Sequence, residues 1–187
     1  ISYAGCGLPY YVGGSIETRE ELIVNTPEKY MGLTGVEVKT EMEAVSVDAS
    51  AKTVTFANGE TVSYDKLIVA TGATPFVPNV AGTDKNGVFT MRTPDDAIGL
   101  RAYVDENKCH SAVVVGAGFI GLEIAENLLA KGLKVTVVDM ADQVMPGLFD
   151  TEMADYIRRH LQAKGIRVVT GAALEEILGD TKTTGVR

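Results

Sequence analysis

Residues 113–139 read VVVGAGFIGLEIAENLLAKGLKVTVVD, and this stretch decides the fold. Three valines run into Gly116, Gly118 and Gly121, the glycines open an apolar run of helical character, and a second valine-rich run closes on Asp139. Strand, glycine turn, helix and strand in this order form the unit that holds a dinucleotide pyrophosphate. Gly116 allows the tight turn, Gly118 clears a side chain from the path of the phosphates, and Gly121 lets the helix lie close to the strand. The unpaired N–H groups and the dipole at the helix start then favour the phosphate charge. Asp139 follows about twenty residues on, where an acid accepts the ribose hydroxyls. A carboxylate there repels a 2′-phosphate, and the following Met140-Ala141-Asp142-Gln143 brings no arginine. NADH is therefore expected over NADPH.

Outward from this stretch, the alternation continues. Thr93-Pro94 starts a helix, with Thr93 as N-cap and Pro94 at the first helical position. Strands SAVVVG, KVTVVD and IRVVTG alternate with helices FIGLEIAENLLAKG and TEMADYIRRHLQAKG. Such alternation predicts an α/β fold, with parallel strands joined by right-handed helical crossovers. Residues 93–187 thus read as an NAD(P)-binding domain.

The first half has a different pattern. TREELIVNTPEKY (18–30) reads as a short helix capped by Thr18 with Glu21 in the capping-box position. VEVKTEMEAVSVD (36–48) alternates as a half-buried strand. KTVTFANGETVSYD (52–65) predicts a hairpin with a type I′ turn at Asn58-Gly59. KLIVATGATP (66–75) predicts a strand buried on both faces that ends where Gly72 admits a ligand or another backbone. PFVPNVAGTDKNG (75–87) has two prolines and no period, which marks a linker and places a domain boundary near residue 92.

At the start, ISYAGCGLPYYVGG (1–14) sets Cys6 between two glycines and just ahead of Pro9, whose φ suits a first helical turn. A thiol there ionises more easily than a free cysteine and suits a nucleophile. A small, buried, inert thiol fits the same stretch, and these residues alone leave both readings open.

Bulk properties exclude several classes. The 17 basic residues are scattered in a chain of net charge −8, which argues against a nucleic-acid surface. No apolar run approaches the ~20 residues of a membrane span, no signal-peptide pattern opens the sequence, and a cytoplasmic protein is expected. Cys6 and Cys109 lie far apart and His110 and His160 stand alone, so neither a disulfide framework nor a metal site is expected.

Three pieces in order, ISYAGCGLPYYVGG, LIVATGATPFVPNVAGTD and VVVGAGFIGLEIAENLLAKGLKVTVVDMADQVMPGLFD, resemble the single-cysteine FAD/NAD(P)-dependent pyridine nucleotide-disulfide oxidoreductases. That family spans coenzyme A disulfide reductases, NADH-dependent polysulfide reductases, NADH oxidases and NADH peroxidases. The Cys-Gly-Leu-Pro-Tyr-Tyr run is most similar to the coenzyme A disulfide reductase branch. The resemblance implies a flavoprotein in which NADH reduces FAD and the flavin passes electrons to Cys6. It implies Ser2 as a substrate contact and Arg19 as a contact for an anionic group of coenzyme A. It further implies that Ala70, Thr71 and Gly72 meet FAD and that the backbone of Val45 faces the flavin adenine. By the same resemblance, Phe119 lies over the flavin with Ile120 beside it in the cofactor site, and Glu123 contacts the nicotinamide side. As residues alone, Phe119 and Val45 also suit a core, and Glu123 a helix surface.

On this resemblance, residues 1–92 form a partial FAD-binding domain. The family's first FAD-binding strand would precede residue 1, and its dimer-forming domain would follow residue 187. The chain is then expected to be a piece of a homodimeric enzyme acting on a small-molecule disulfide, persulfide or polysulfide. Two alternatives stand beside this. One is an NADH oxidase or peroxidase that passes through a Cys6 sulfenic acid; the other is an inactive nucleotide-binding fragment without flavin.

Overall fold

β-branched residues crowd the strands of the second half and leucine and alanine its helices, and the backbone follows these preferences. The computed structural model describes residues 2–187. In chain order the elements are β1 (Ser2–Tyr3), α1 (Leu8–Gly13), β2 (Ile23–Asn25), α2 (Pro27–Thr34), β3 (Ala44–Asp48), β4 (Thr53–Phe56), β5 (Thr61–Ser63), α3 (Pro94–Glu106), β6 (Ser111–Val115), α4 (Phe119–Ala130), β7 (Lys134–Val138), α5 (Thr151–Ala163), β8 (Arg167–Val169), β9 (Ile177–Gly179) and β10 (Thr183–Val186). They fall into two compact units, one made of Ser2 with Ile23–Thr74 and the other of Tyr3–Leu22 with Pro75–Arg187.

The larger unit holds a parallel sheet in the order β6-β7-β8, with Val114 opposite Val137 and Val137 opposite Val168. Helices α4 and α5 are the crossovers, as the alternating pattern predicted. Val135 and Val137 of β7 are buried together with Ile124, Ala125 and Leu128 of α4. Ala112 and Val114 of β6 pack against the same core, while Val113 and Val115 alternate away and stay partly exposed. Helix α3 opens on a capping box: Asp96 N donates to Thr93 Oγ1 and Thr93 N donates to the Asp96 carboxylate at 2.8 Å. The cap of α5 is Asp150, which accepts from Met153 N at 2.8 Å.

Helix α1 joins this unit by packing on α3 and α4. Gly13 lies against Asn127, whose side chain an added Cβ would overlap. The Asn127 amide is fixed from the other side, since Nδ2 donates to the Glu123 carbonyl at 2.8 Å. Arg101 of α3 secures the same end: its Nη1 reaches the carbonyls of Tyr11, Ile16 and Glu17, each at 3.2 Å, and its guanidinium stacks 4.7 Å from the centre of the Tyr11 ring.

The smaller unit is built on the antiparallel meander β3-β4-β5, where Val47, Val54 and Val62 line up across the strands. The hairpin at Asn58-Gly59 exists, but its turn differs from the expected type I′. Gly59 N bonds to Phe56 O at 2.9 Å, Gly59 alone of the pair has positive φ (+86°), and Asn58 Oδ1 accepts from Glu60 N. A longer loop of this kind places glycine only at its left-handed position.

Three further expectations are corrected. Residues 18–30 are no single helix: a short 3-10 turn at Glu20–Leu22 gives way to β2, and α2 starts at Pro27. The cause is local, because proline restricts Thr26 to extended backbone (φ −85°, ψ 165°) and then serves as the first helical residue beneath the Thr26 cap. The strand expected over 36–48 begins only at Ala44. The stretch 66–75 forms no strand, and Ile68 and Val69 are 88 % and 72 % exposed. A strand buried on both faces needs a neighbour on each side, and among the described residues none pairs with this segment.

Gly13→Ala is expected to cost about 1–3 kcal/mol in thermal or denaturant unfolding, as overpacking does. Asn127→Ala in the same chain should recover part of that loss, so the two substitutions will be non-additive; strict additivity would show that the contact is not tight.

Candidate active site

The glycine loop between β6 and α4 has the shape its sequence requires. Gly116 sits at φ +107°, in the left-handed region that favours glycine, and its N–H bonds to Val138 O at 2.8 Å. A Cβ added at Gly116 or Gly118 would meet nothing within 4 Å, whereas one at Gly121 would overlap the Gly116 carbonyl. The backbone is therefore open on the side where a pyrophosphate would rest and closed where helix meets strand. Gly118 caps α4 and carries no side chain to occupy the first helical N–H groups. These residues fit a dinucleotide.

Asp139 follows β7 and faces the same loop. Its carboxylate accepts from Ala117 N at 2.6 Å and from Ala141 N at 2.8 Å. Phe119 and Ile120 begin α4 largely exposed, at 58 % and 59 %. Phe119 and the half-buried Glu123 face a cleft between α4 and α5, lined also by Leu122, Met145, Ile157 and Leu161.

Cys6 is exposed on a 3-10 turn, Gly5–Gly7, that leads into α1 with Pro9 in its first turn. The buried-thiol alternative is thereby removed. Gly7 explains the local sequence: a Cβ there would press on the side chains of Ile16, Ala4 and Leu22 at 3.0–3.2 Å. The turn is held by Gly7 N to Ala4 O and Ala4 N to Leu22 O, both at 2.8 Å. Cys109 is only partly exposed.

Arg19 lies in the same unit as Cys6, 3.5 Å from Asp95 with both side chains exposed, a pairing too solvated to hold it firmly. The other residues singled out by sequence lie in the smaller unit. Ser2 Oγ accepts from Asn25 Nδ2 at 2.9 Å. Val45 is 58 % exposed and sits where the register of β3 against β4 shifts between Ala44 and Ser46. Such an irregularity takes a residue out of the regular ladder. Ala70, Thr71 and Gly72 are exposed, with Gly72 at φ +74°. The structure thus gathers Cys6, the glycine loop, Glu123 and Asp139 in one unit, and Ser2, Val45 and Ala70–Gly72 in the other.

Sequence reading missed Asn127, Arg101 and Asn25. Asn127 alone left a trace, as a polar residue inside the apolar face of α4. Among the described residues, no cluster of three or more His, Cys, Asp or Glu could hold a metal ion, and no helix is long and apolar enough to cross a membrane.

The family model for pyridine nucleotide-disulphide oxidoreductases matches residues 1–187. The chain belongs to this family. A relative from Methanocaldococcus jannaschii described as an NADH oxidase is 38 % identical over all of this chain and 42 % of its own length. The solved structure of an NAD-dependent persulfide reductase from A. fulgidus has TM-score 0.89 and 39 % identity, covering 96 % of this chain and 34 % of that one. That of the reduced CoADR-RHD protein of Bacillus anthracis has TM-score 0.90 and 35 % identity, covering all of this chain and 36 % of that one. The chain therefore spans well under half the length of these relatives.

A thiol reagent such as Ellman's should titrate one fast and one slower cysteine, with rates separated by roughly tenfold or more given their difference in exposure. Cys6→Ser removes the fast phase; its survival in that variant would assign the accessible thiol to Cys109.

Proposed function

We propose that this chain is the cysteine-bearing and NADH-binding part of a flavoprotein that reduces a thiol-linked disulfide, persulfide or polysulfide. The observation that carries the reading is an exposed Cys6 on a turn whose helix, α1, packs on the dinucleotide helix α4. Similarity to a persulfide reductase and to CoADR-RHD supports the substrate class. Residues 1–92 would contribute to FAD binding and 93–187 to NADH binding.

In this reading the loop at Gly116, Gly118 and Gly121 receives the pyrophosphate and Asp139 the ribose hydroxyls. Phe119, Ile120 and Glu123 border the nicotinamide, and FAD meets the backbone of Val45 and the Ala70–Gly72 segment. When bound, FAD carries the two electrons of NADH to sulfur. The Cys6 thiolate attacks one sulfur of the substrate, forming a mixed disulfide and releasing the first thiol. Two electrons and a proton then free the second thiol and restore Cys6. NADH, one proton and one disulfide thus become NAD⁺ and two thiols. Ser2, held by Asn25, and Arg19, loosely paired, would contact the substrate, Arg19 through an anionic group such as those of coenzyme A. Asp139 and the exposed Asp142 disfavour a 2′-phosphate, so NADH is preferred. A homodimer in the cytoplasm is the expected setting for the whole enzyme.

The 38 % identity to an NADH oxidase favours a second reading in which Cys6 becomes a sulfenic acid and the electrons reach oxygen or peroxide. The visible spectrum of the purified chain under anaerobic NADH is the test. A flavin band that bleaches and returns on adding coenzyme A disulfide or polysulfide, with turnover lost in Cys6→Ser, is the expected result. Return of the band only with oxygen or peroxide would select the oxidase reading. A colourless chain that still binds NADH would leave nucleotide binding as its sole activity.

A further inference from the structure

Ala117, between the first two loop glycines, is completely buried, and both polar groups of its backbone are held from outside the loop. Its N–H donates to Asp139 Oδ2 at 2.6 Å, and its carbonyl accepts from Met145 N at 2.9 Å. Met145 belongs to the segment between β7 and α5 and is itself 97 % removed from solvent, with 3 % exposure. Its φ of +51° lies in the left-handed region, a costly backbone for a residue with a Cβ, which persists only where the surroundings impose it. That segment is tied shut by Gln143, whose Nε2 donates to Phe149 O at 2.9 Å and whose Oε1 accepts from Thr151 Oγ1 at 3.3 Å. Val144, next to Met145, is fully buried. The second Asp139 oxygen accepts from Ala141 N, so the carboxylate fastens the glycine loop to the start of the same segment.

We propose that Asp139 and the Met145 N–H clamp the Ala117 backbone and so hold the glycine loop in the conformation that receives pyrophosphate, which makes Asp139 a positioning residue for the phosphates as well as a ribose contact. The inference rests on the dinucleotide reading of this loop. It has a consequence for coenzyme choice: removing the carboxylate to admit a 2′-phosphate also releases the loop that binds the pyrophosphate. Asparagine cannot substitute, because its single side-chain oxygen cannot accept from both Ala117 and Ala141 in the carboxylate's manner.

A cycle that edits both protein and ligand separates the two roles. Affinities for NADH and for its 2′,3′-dideoxyadenosine analogue, which lacks the hydroxyls that Asp139 would contact, are measured with the wild-type chain, Asp139→Ala and Asp139→Asn. Loop anchoring predicts that both variants bind even the dideoxy analogue roughly tenfold more weakly than wild type, the loss expected for a charged hydrogen bond. It also predicts no gain in NADPH affinity for Asp139→Ala. Equal binding of the analogue by variants and wild type would overturn the proposal and leave Asp139 as a ribose contact alone. Amide hydrogen exchange needs no ligand: in the variants, exchange at Ala117 should accelerate at least about tenfold while later amides of α4 keep their rates. Unchanged exchange at Ala117 would equally overturn the clamp. Failure of the wild-type chain to bind NADH would instead overturn the dinucleotide reading, with the exchange comparison still judging the clamp. Should Asp139→Ala not fold, the nearly isosteric Asp139→Asn carries both comparisons.

Discussion

The start of α4 can lie against the end of β6 only because residue 121 has no side chain. A Cβ at Gly121 would overlap the Gly116 carbonyl, so this contact fixes the distance between strand and helix and the path of the loop joining them. From that distance follow the open backbone at Gly116 and Gly118 and the direction of the first helical N–H groups. The burial of Ile124, Ala125 and Leu128 with Val135 and Val137 follows too. One glycine thus serves packing and ligand space together. Helix dipole and unpaired N–H groups become a binding device only when the backbone can come this near.

A second close approach links this loop to the cysteine. Gly13 at the end of α1 meets Asn127 of α4, and Asn127 is oriented by the Glu123 carbonyl one turn earlier. Arg101 holds the end of α1 through three carbonyls and an aromatic face. The helix that follows Cys6 is therefore seated on α4 by one buried amide and on α3 by one guanidinium. Buried polar groups of this kind are costly unless fully paired, and when paired they fix a single geometry. Cys6 itself stays exposed on its turn.

The family supplies a scaffold that serves more than one final electron acceptor, and fold does not choose among them. Relatives described as an NADH oxidase and as a persulfide reductase match this chain about equally well. The residues described here bear on how a nucleotide is held and where a thiol is presented. In the proposed reading, the fate of the electrons depends on which sulfur or oxygen species reaches Cys6.

The fold from residue 93 to β8 and the glycine loop were legible in the sequence, because each depends on neighbours within a few turns: valine runs, glycine spacing, the Thr93-Pro94 start and a terminal acid. The antiparallel pair β9-β10 after them, in a largely polar stretch, was not. The exposure of Cys6 was not, since a small thiol between glycines suits surface and core alike. Residues 66–75 failed for the opposite reason: an apolar run was read as a buried strand, but burial belongs to pairing partners, and no described strand supplies one. Residues 18–30 read as one helix, yet Pro27 opens a separate one, because proline suits a first helical turn and breaks a helix interior. From residue 93 to the end of β8, the sequence by itself determined the order of strands and helices and the place of the glycine loop, through local sterics and periodicity. Only the tertiary structure decided that Met145 and Asp139 hold Ala117 from two sides and that Asn127 receives Gly13, because contacts between residues distant in sequence leave no period to read.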